Sequence, residues 1–229
     1  MRSEQLSRRE LIRLVLSRVV FSIPMLFILL FLPAGTLAYW QAWVYLAILL
    51  IPMFFVLLYL LKNDPALLER RMRMRERVKE QNLIIKLSYI VFIVAFVLPG
   101  LDRRFGWSHV PVGVVIAADV LVLLGYGLFA LVMRENSYAS RVIEVTEGQK
   151  VITSGPYAIV RHPMYLGAGT MYFFSPLALG SYWAMLPAVL IIVVIVARIL
   201  NEEKVLARDL PGYREYMQKT RYRLIPGVW

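Results

Sequence analysis

The sequence predicts an all-α protein: a polytopic membrane helical bundle of about six spans, the last two paired as a helical hairpin, with a C-terminal helix beyond them. Three observations lead there. The 229 residues are 59% hydrophobic, with a mean hydropathy of +0.64. That is more apolar than a soluble domain of this length requires. The apolar residues come in blocks, each close to the ~20 residues a helix needs to cross the hydrocarbon core. The basic residues fall between the blocks in a one-sided pattern.

Four charge-poor runs stand out, Val19–Leu37, Trp43–Leu61, Leu83–Gly100 and Val112–Met133. A fifth, Met164–Leu200, is too long for one span. "LGSYW" at Leu179–Trp183 supplies the break, with Gly and Ser for a tight turn and Tyr and Trp for an interface. With six spans, all of the 26 Lys and Arg except Arg103 and Arg104 fall on one side. The positive-inside rule makes that side cytosolic, with both termini there. Reading the fifth run as one span would export the basic residues of Arg198–Arg223, so charge favours six. The first run lacks a small-residue cleavage site and reads as an anchor. The whole chain, 1–229, is expected to be one integral membrane domain, with four spans in 1–133 and a loop, hairpin and tail in 134–229.

Between spans, "AYWQAW" at Ala38–Trp43 makes a tight outer connection. In Asn63–Gln81, Asp64 is placed to cap and Pro65 to open a helix lying near the headgroups, expected to be a solvated charged face. Asp119, inside the fourth run, is expected to be hydrogen-bonded within the bundle. Gly125 and Gly127 suggest close helix packing beside it. "RVIEVTEGQKVIT", Arg141–Thr153, reads as a small hairpin or an extended clamp.

Composition also excludes. There is no cysteine and only His109 and His162, so no disulfide is possible and no metal site is expected. The net charge of +11 follows the span ends. It reads as topology and anionic headgroups, and no nucleic-acid partner is expected.

The chemistry-bearing stretch is "GPYAIVRHPMYLG", Gly155–Gly167. Pro163 is suited to starting the next span. Arg161 and His162 then sit at its N-terminus, where free N–H groups and the helix dipole favour an anion or carboxylate. Tyr157 and Tyr165 offer flat rings or hydroxyls. A short outer loop in the hairpin brings Arg198, Asn201, Glu202 and Glu203 to the same surface, with Arg198 and Glu202 on one helix face. A cationic N-terminus facing paired carboxylates suits a zwitterionic ligand carrying a flat heterocycle.

"TSGPYAIVRHPMYLG", with the downstream "R-x-x-N-E-E", "L-P-G-Y-x-E-Y" and "Y-R-L-I-P", resembles the isoprenylcysteine carboxyl methyltransferase family of integral membrane enzymes. The resemblance spans roughly Asn136–Pro226, with weaker similarity over Pro65–Gln81. Phospholipid N-methyltransferases and membrane sterol reductases share its core more loosely. It implies S-adenosylmethionine as cofactor, a cytosolic cofactor-binding loop, and Gln149, Lys150, Val151, Ile152, Tyr157, His162, Pro163, Met164, Tyr165 and Glu202 as cofactor-binding residues. It implies Arg198 as the catalytic residue beside the acceptor carboxylate. Glu144 stands near a cofactor-contacting Gln of the family, at a different spacing.

A carboxylate acceptor needs no general base, only alignment and a dry site. An amine acceptor needs a proton removed, for which Glu202 or Glu203 is available. The lipophilic or prenylated acceptor and the bilayer are the expected partners. An amine-directed phospholipid methyltransferase, an NADPH-dependent sterol or lipid reductase, and a non-catalytic membrane protein remain as alternatives.

Overall fold

Each apolar run forms a helix, and side-chain caps explain some of the boundaries. The computed structural model describes residues 6–72, 79–139, 145 and 148–229, with backbone alone over 79–89. Helix α1 (Arg8–Ala34) opens on a capping box: Glu10 N–H donates to Ser7 Oγ at 3.3 Å, and Ser7 N–H donates back to Glu10 Oε2 at 2.8 Å. It closes on Gly35, whose φ of 65° is left-handed. Helix α2 (Trp40–Asn63) follows the aromatic connection, where Trp43 Nε1 donates to Leu37 O. Helix α3 (Pro65–Met72) is capped by Asp64, which accepts from Leu67 N–H at 2.9 Å. The remaining helices are α4 (Lys79–Phe105), α5 (Val112–Glu135), α6 (Pro163–Ala178), α7 (Met185–Asp209) and α8 (Tyr213–Lys219).

Helices α1, α2, α5 and α7 are long and apolar enough to cross a membrane. Their outward faces carry large apolar side chains such as Phe21, Leu124 and Leu186, each more than 60% exposed. Such a surface suits lipid, since every backbone polar group inside a helix is already bonded. Helix α6, opened by Pro163 at its first position, has 16 residues, roughly 24 Å of rise, less than a full span. The hairpin breaks where the sequence placed the break, between Ala178 and Met185.

Helices α5 and α6 cross at two glycines. A Cβ on Gly125 would lie 2.8 Å from Gly167 O, and one on Gly167 2.7 Å from Gly125 O. Only glycine permits this approach. Gly127, expected to share the role, faces open space. At the turn between the two hairpin helices, Asp102, fully buried, accepts from Ser108 N–H and Oγ, both at 2.6 Å, and from Ser181 Oγ. This ties the α4–α5 connection to the hairpin turn.

Two expectations are corrected. Helix α3 is not a solvated face. Leu67, Leu68 and Glu69 are buried. Glu69 accepts from Leu6 N–H, Arg70 donates to Ser137 O, and Arg71 donates to Ala139 O at 3.0 Å. Its charges are used on the chain itself because α3 lies between α1 and residues 136–139. Asp119 is buried, yet its Oδ1 has no hydrogen-bond partner among the described residues. The nearby hydroxyls are engaged elsewhere: Tyr45 and Ser175 share a 2.6 Å bond, and Ser175 donates to Met171 O. The hairpin-or-clamp expectation falls partly outside the described residues, as does Glu144. Within 148–153 there is no strand, and Val145 and Val151 pack against Leu210, Tyr213 and Tyr216.

Candidate active site

The hairpin's short turn between Ala178 and Met185 makes α6 and α7 antiparallel neighbours, so the start of α6 meets the polar end of α7. There Arg161 and Glu203 form a buried ion pair, Nε to Oε1 at 2.7 Å, with side chains 5% and 7% exposed. Glu203 also accepts from Arg223 Nε at 2.8 Å and lies 3.3 Å from His162 Nε2. Arg161 Nη1 donates to Thr220 O and Arg221 O. A buried pair is tolerable only when its remaining donors and lone pairs are satisfied in this way.

This corrects the picture of an open anion site. The carboxylate that the Arg-His segment attracts is the chain's own Glu203. The N–H groups of Arg161 and His162 are bonded to Tyr222 O and Arg223 O, both at 2.9 Å. The segment is thus sealed by the tail, and the free ligand-binding capacity lies one step along, at Glu202.

Glu202 Oε2 accepts from the Tyr165 hydroxyl at 2.6 Å, and that hydroxyl accepts from Arg198 Nε at 2.9 Å. Glu202 Oε1 is 4.0 Å from His162 Nδ1. Arg198 and Glu202 therefore do share a face of α7, with Tyr165 as the link between them. One cavity opens beside Glu202. Gln149, Lys150, Val151, Ile152, Tyr157, His162, Met164, Tyr165 and Glu202 all line it. Pro163 is buried as the first residue of α6 and Arg198 stands behind Tyr165; neither is among the lining residues.

Other lining residues escaped sequence reasoning: Asn136, Tyr138, Ala139, Leu206, Leu210, Tyr213 and Tyr216. Tyr213 and Tyr216 are three apart on α8, a spacing that puts two aromatic rings on one face and was visible in "LPGYREY". The structural partner Arg223 sits in the "YRLIP" stretch and gave no signal of its own. Tyr157 is held twice, its hydroxyl accepting from Asn136 Nδ2 at 2.8 Å and its carbonyl from the Tyr216 hydroxyl at 2.7 Å. Burial pushes the Tyr157 hydroxyl up to about 12 and that of Tyr216 likewise, so both are neutral at physiological pH. The cavity combines tyrosine rings, the aliphatic side chains of Val151, Leu206 and Leu210, and one carboxylate with an oxygen turned away from its partner. That set fits a flat heterocycle joined to a cationic group.

These features define an integral membrane protein with a ligand cavity at the polar ends of a helical hairpin. Residues 114–211, which contain the Arg-His-Pro turn, the hairpin and Glu202, match the family model described as phospholipid methyltransferase. That match agrees with the resemblance carried by the Gly-Pro-Tyr and Arg-His-Pro motifs. No curated protein matches the chain significantly. Among solved structures, the chain is similar to a eukaryotic intramembrane Ras methyltransferase, the isoprenylcysteine carboxyl methyltransferase without a monobody. That similarity is 15% in sequence, over 93% of this chain and 85% of the other, with a TM-score of 0.49.

Proposed function

We propose that the protein moves a methyl group from S-adenosylmethionine to a lipophilic acceptor, an isoprenylcysteine-type carboxylate held beside Arg198. One observation carries this reading. The cavity of Gln149–Ile152, His162, Tyr165 and Glu202 lies largely within the segment that matches a methyltransferase family. S-adenosylmethionine fits the residues present, with tyrosine and leucine side chains for its heterocycle and Glu202 for its positive charge.

Held by Tyr157, Tyr165 and Glu202, it would supply an electrophilic methyl group for an acceptor oxygen lone pair, with the thioether as the leaving group. A carboxylate acceptor gives a neutral ester, and no proton moves. The residues of this chain then orient and exclude water. Tyr165 fixes Glu202 on one side and Arg198 on the other, so one hydroxyl sets the spacing between the cofactor carboxylate and the acceptor guanidinium. The one-sided distribution of Lys and Arg supports a cavity facing the cytosol.

The family match favours a second reading, a phospholipid amine as acceptor. Glu202 would then take the proton that the amine must lose. Detergent-purified protein, radiolabelled S-adenosylmethionine and two acceptors separate these readings. A prenylcysteine carboxylate yields label released by base as volatile methanol, while phosphatidylethanolamine yields base-stable label in the headgroup. Labelling of neither, together with no affinity for S-adenosylhomocysteine, would sink both.

A further inference from the structure

Tyr213 is only 4% exposed. Its ring lines the cavity beside Leu206, Leu210 and Val151, tilted against Tyr216 at 5.7 Å between centroids. The hydroxyls of its neighbours Tyr157, Tyr165 and Tyr216 are all bonded. That of Tyr213 is buried and has no hydrogen-bond partner among the described residues. A buried unpaired hydroxyl costs stability, because it gives up water and receives nothing in return. Burial and the nearby Glu203 and Glu202 carboxylates push its ionisation further up, so it remains a neutral phenol.

An orphaned phenol in a cavity wall is explained if a ligand supplies the partner. The surroundings indicate which part of a ligand does so. Tyr213 packs against Val151, Leu206, Leu210 and Tyr216, whereas the part-exposed Glu202 carboxylate is bonded to Tyr165 and faces His162. A charged amino-acid end belongs beside Glu202, and a flat uncharged heterocycle with ring nitrogens and sugar hydroxyls belongs beside Leu206 and Leu210.

We infer that the Tyr213 hydroxyl is a binding residue for the nucleoside half of the cofactor. The inference rests on the methyltransferase reading and adds a residue and a ligand orientation to it. Helix α8, which carries Tyr213, then reads the presence of a nucleoside directly. It would discriminate against sulfonium compounds that lack one.

The test is Tyr213→Phe in the full chain, purified in detergent. Two readouts move in opposite directions. With no ligand, the unfolding midpoint is unchanged or raised, because Phe keeps the ring and removes the unpaired oxygen. Affinity for S-adenosylhomocysteine by calorimetry falls by about 3- to 10-fold. The same fold-loss is expected with 5′-methylthioadenosine, which keeps the nucleoside and lacks the amino-acid end. A lowered midpoint would show that the hydroxyl already serves the fold and would overturn the inference. So would unchanged affinity, or a loss seen with S-adenosylhomocysteine and not with 5′-methylthioadenosine. No affinity for either compound in the unaltered chain would instead remove the methyltransferase reading itself, and this inference with it.

Discussion

Arg161 and Glu203 meet at 2.7 Å in the interior, 42 residues apart in sequence, and each is bonded further to the tail. Glu203 is the counter-ion shared by Arg161 and Arg223. Replacing it by Ala leaves Arg161 buried without its counter-ion, which costs about 3–5 kcal/mol for a pair of this kind. Glu203→Ala is therefore expected to lower the thermal unfolding midpoint sharply in the absence of any ligand. A midpoint within a degree of the unaltered chain would show that the pair does not hold the fold.

Glu202, its neighbour, should behave in the opposite way. It is part-exposed in the cavity and its hydrogen-bond partner is the Tyr165 hydroxyl. Glu202→Ala is expected to leave the unfolding midpoint nearly unchanged and to weaken S-adenosylhomocysteine by about 1–3 kcal/mol, the range for a hydrogen bond lost in a desolvated site. Calorimetry checks this directly. Equal affinity would move the ligand away from Glu202.

Arg198 separates binding from chemistry. Its Nε reaches the Tyr165 hydroxyl, a contact that Lys can keep. Lys cannot offer a planar fork to a carboxylate. Arg198→Lys is expected to preserve cofactor affinity and to lose most turnover on a carboxylate acceptor. Turnover retained on that acceptor would remove Arg198 as a clamp. Turnover retained only on an amine lipid would favour the phospholipid reading.

The helix crossing gives a prediction independent of any ligand. Gly125→Ala puts a methyl 2.8 Å from a backbone carbonyl on α6, closer than packed atoms tolerate, and is expected to cost about 1–3 kcal/mol. Gly127→Ala, which meets nothing within 4 Å, should be neutral or slightly stabilising, since Ala is the better helix former. Paired unfolding curves decide; equal midpoints would mean that α5 and α6 can separate freely.

What was legible in the sequence follows from how local each signal is. The apolar runs, the Asp64 cap, the Pro163 start and the break before Met185 depend on residues within one or two turns, and each appears where expected. The meeting of Tyr165 with Glu202 was also readable, because a short hairpin loop leaves its two ends no choice but proximity. The fate of Arg161 was not. Whether a guanidinium at a helix start faces a ligand or the chain itself depends on Glu203 and on carbonyls of Thr220 and Arg221, and only tertiary packing brings those together. Helix α3 misled for the same reason, since its arginines look solvated until residues 137 and 139 are placed against them. Asp119 is the reverse case, a polar side chain whose neighbours satisfy one another and leave it out.

The tail's grip on Arg161 also imposes an order on biosynthesis. Arg221, whose carbonyl Arg161 requires, leaves the ribosome 60 residues after it. Until then the guanidinium lacks two of its three hydrogen-bond partners among the described residues, the carbonyls of Thr220 and Arg221. The helices can insert early, while the ligand chamber stays open and incomplete. A nascent chain halted before Thr220 should accordingly be inserted and yet fail to retain S-adenosylhomocysteine in a pull-down. Synthesis of residues 220–223, rather than formation of the helices, is then the event that closes the chamber wall.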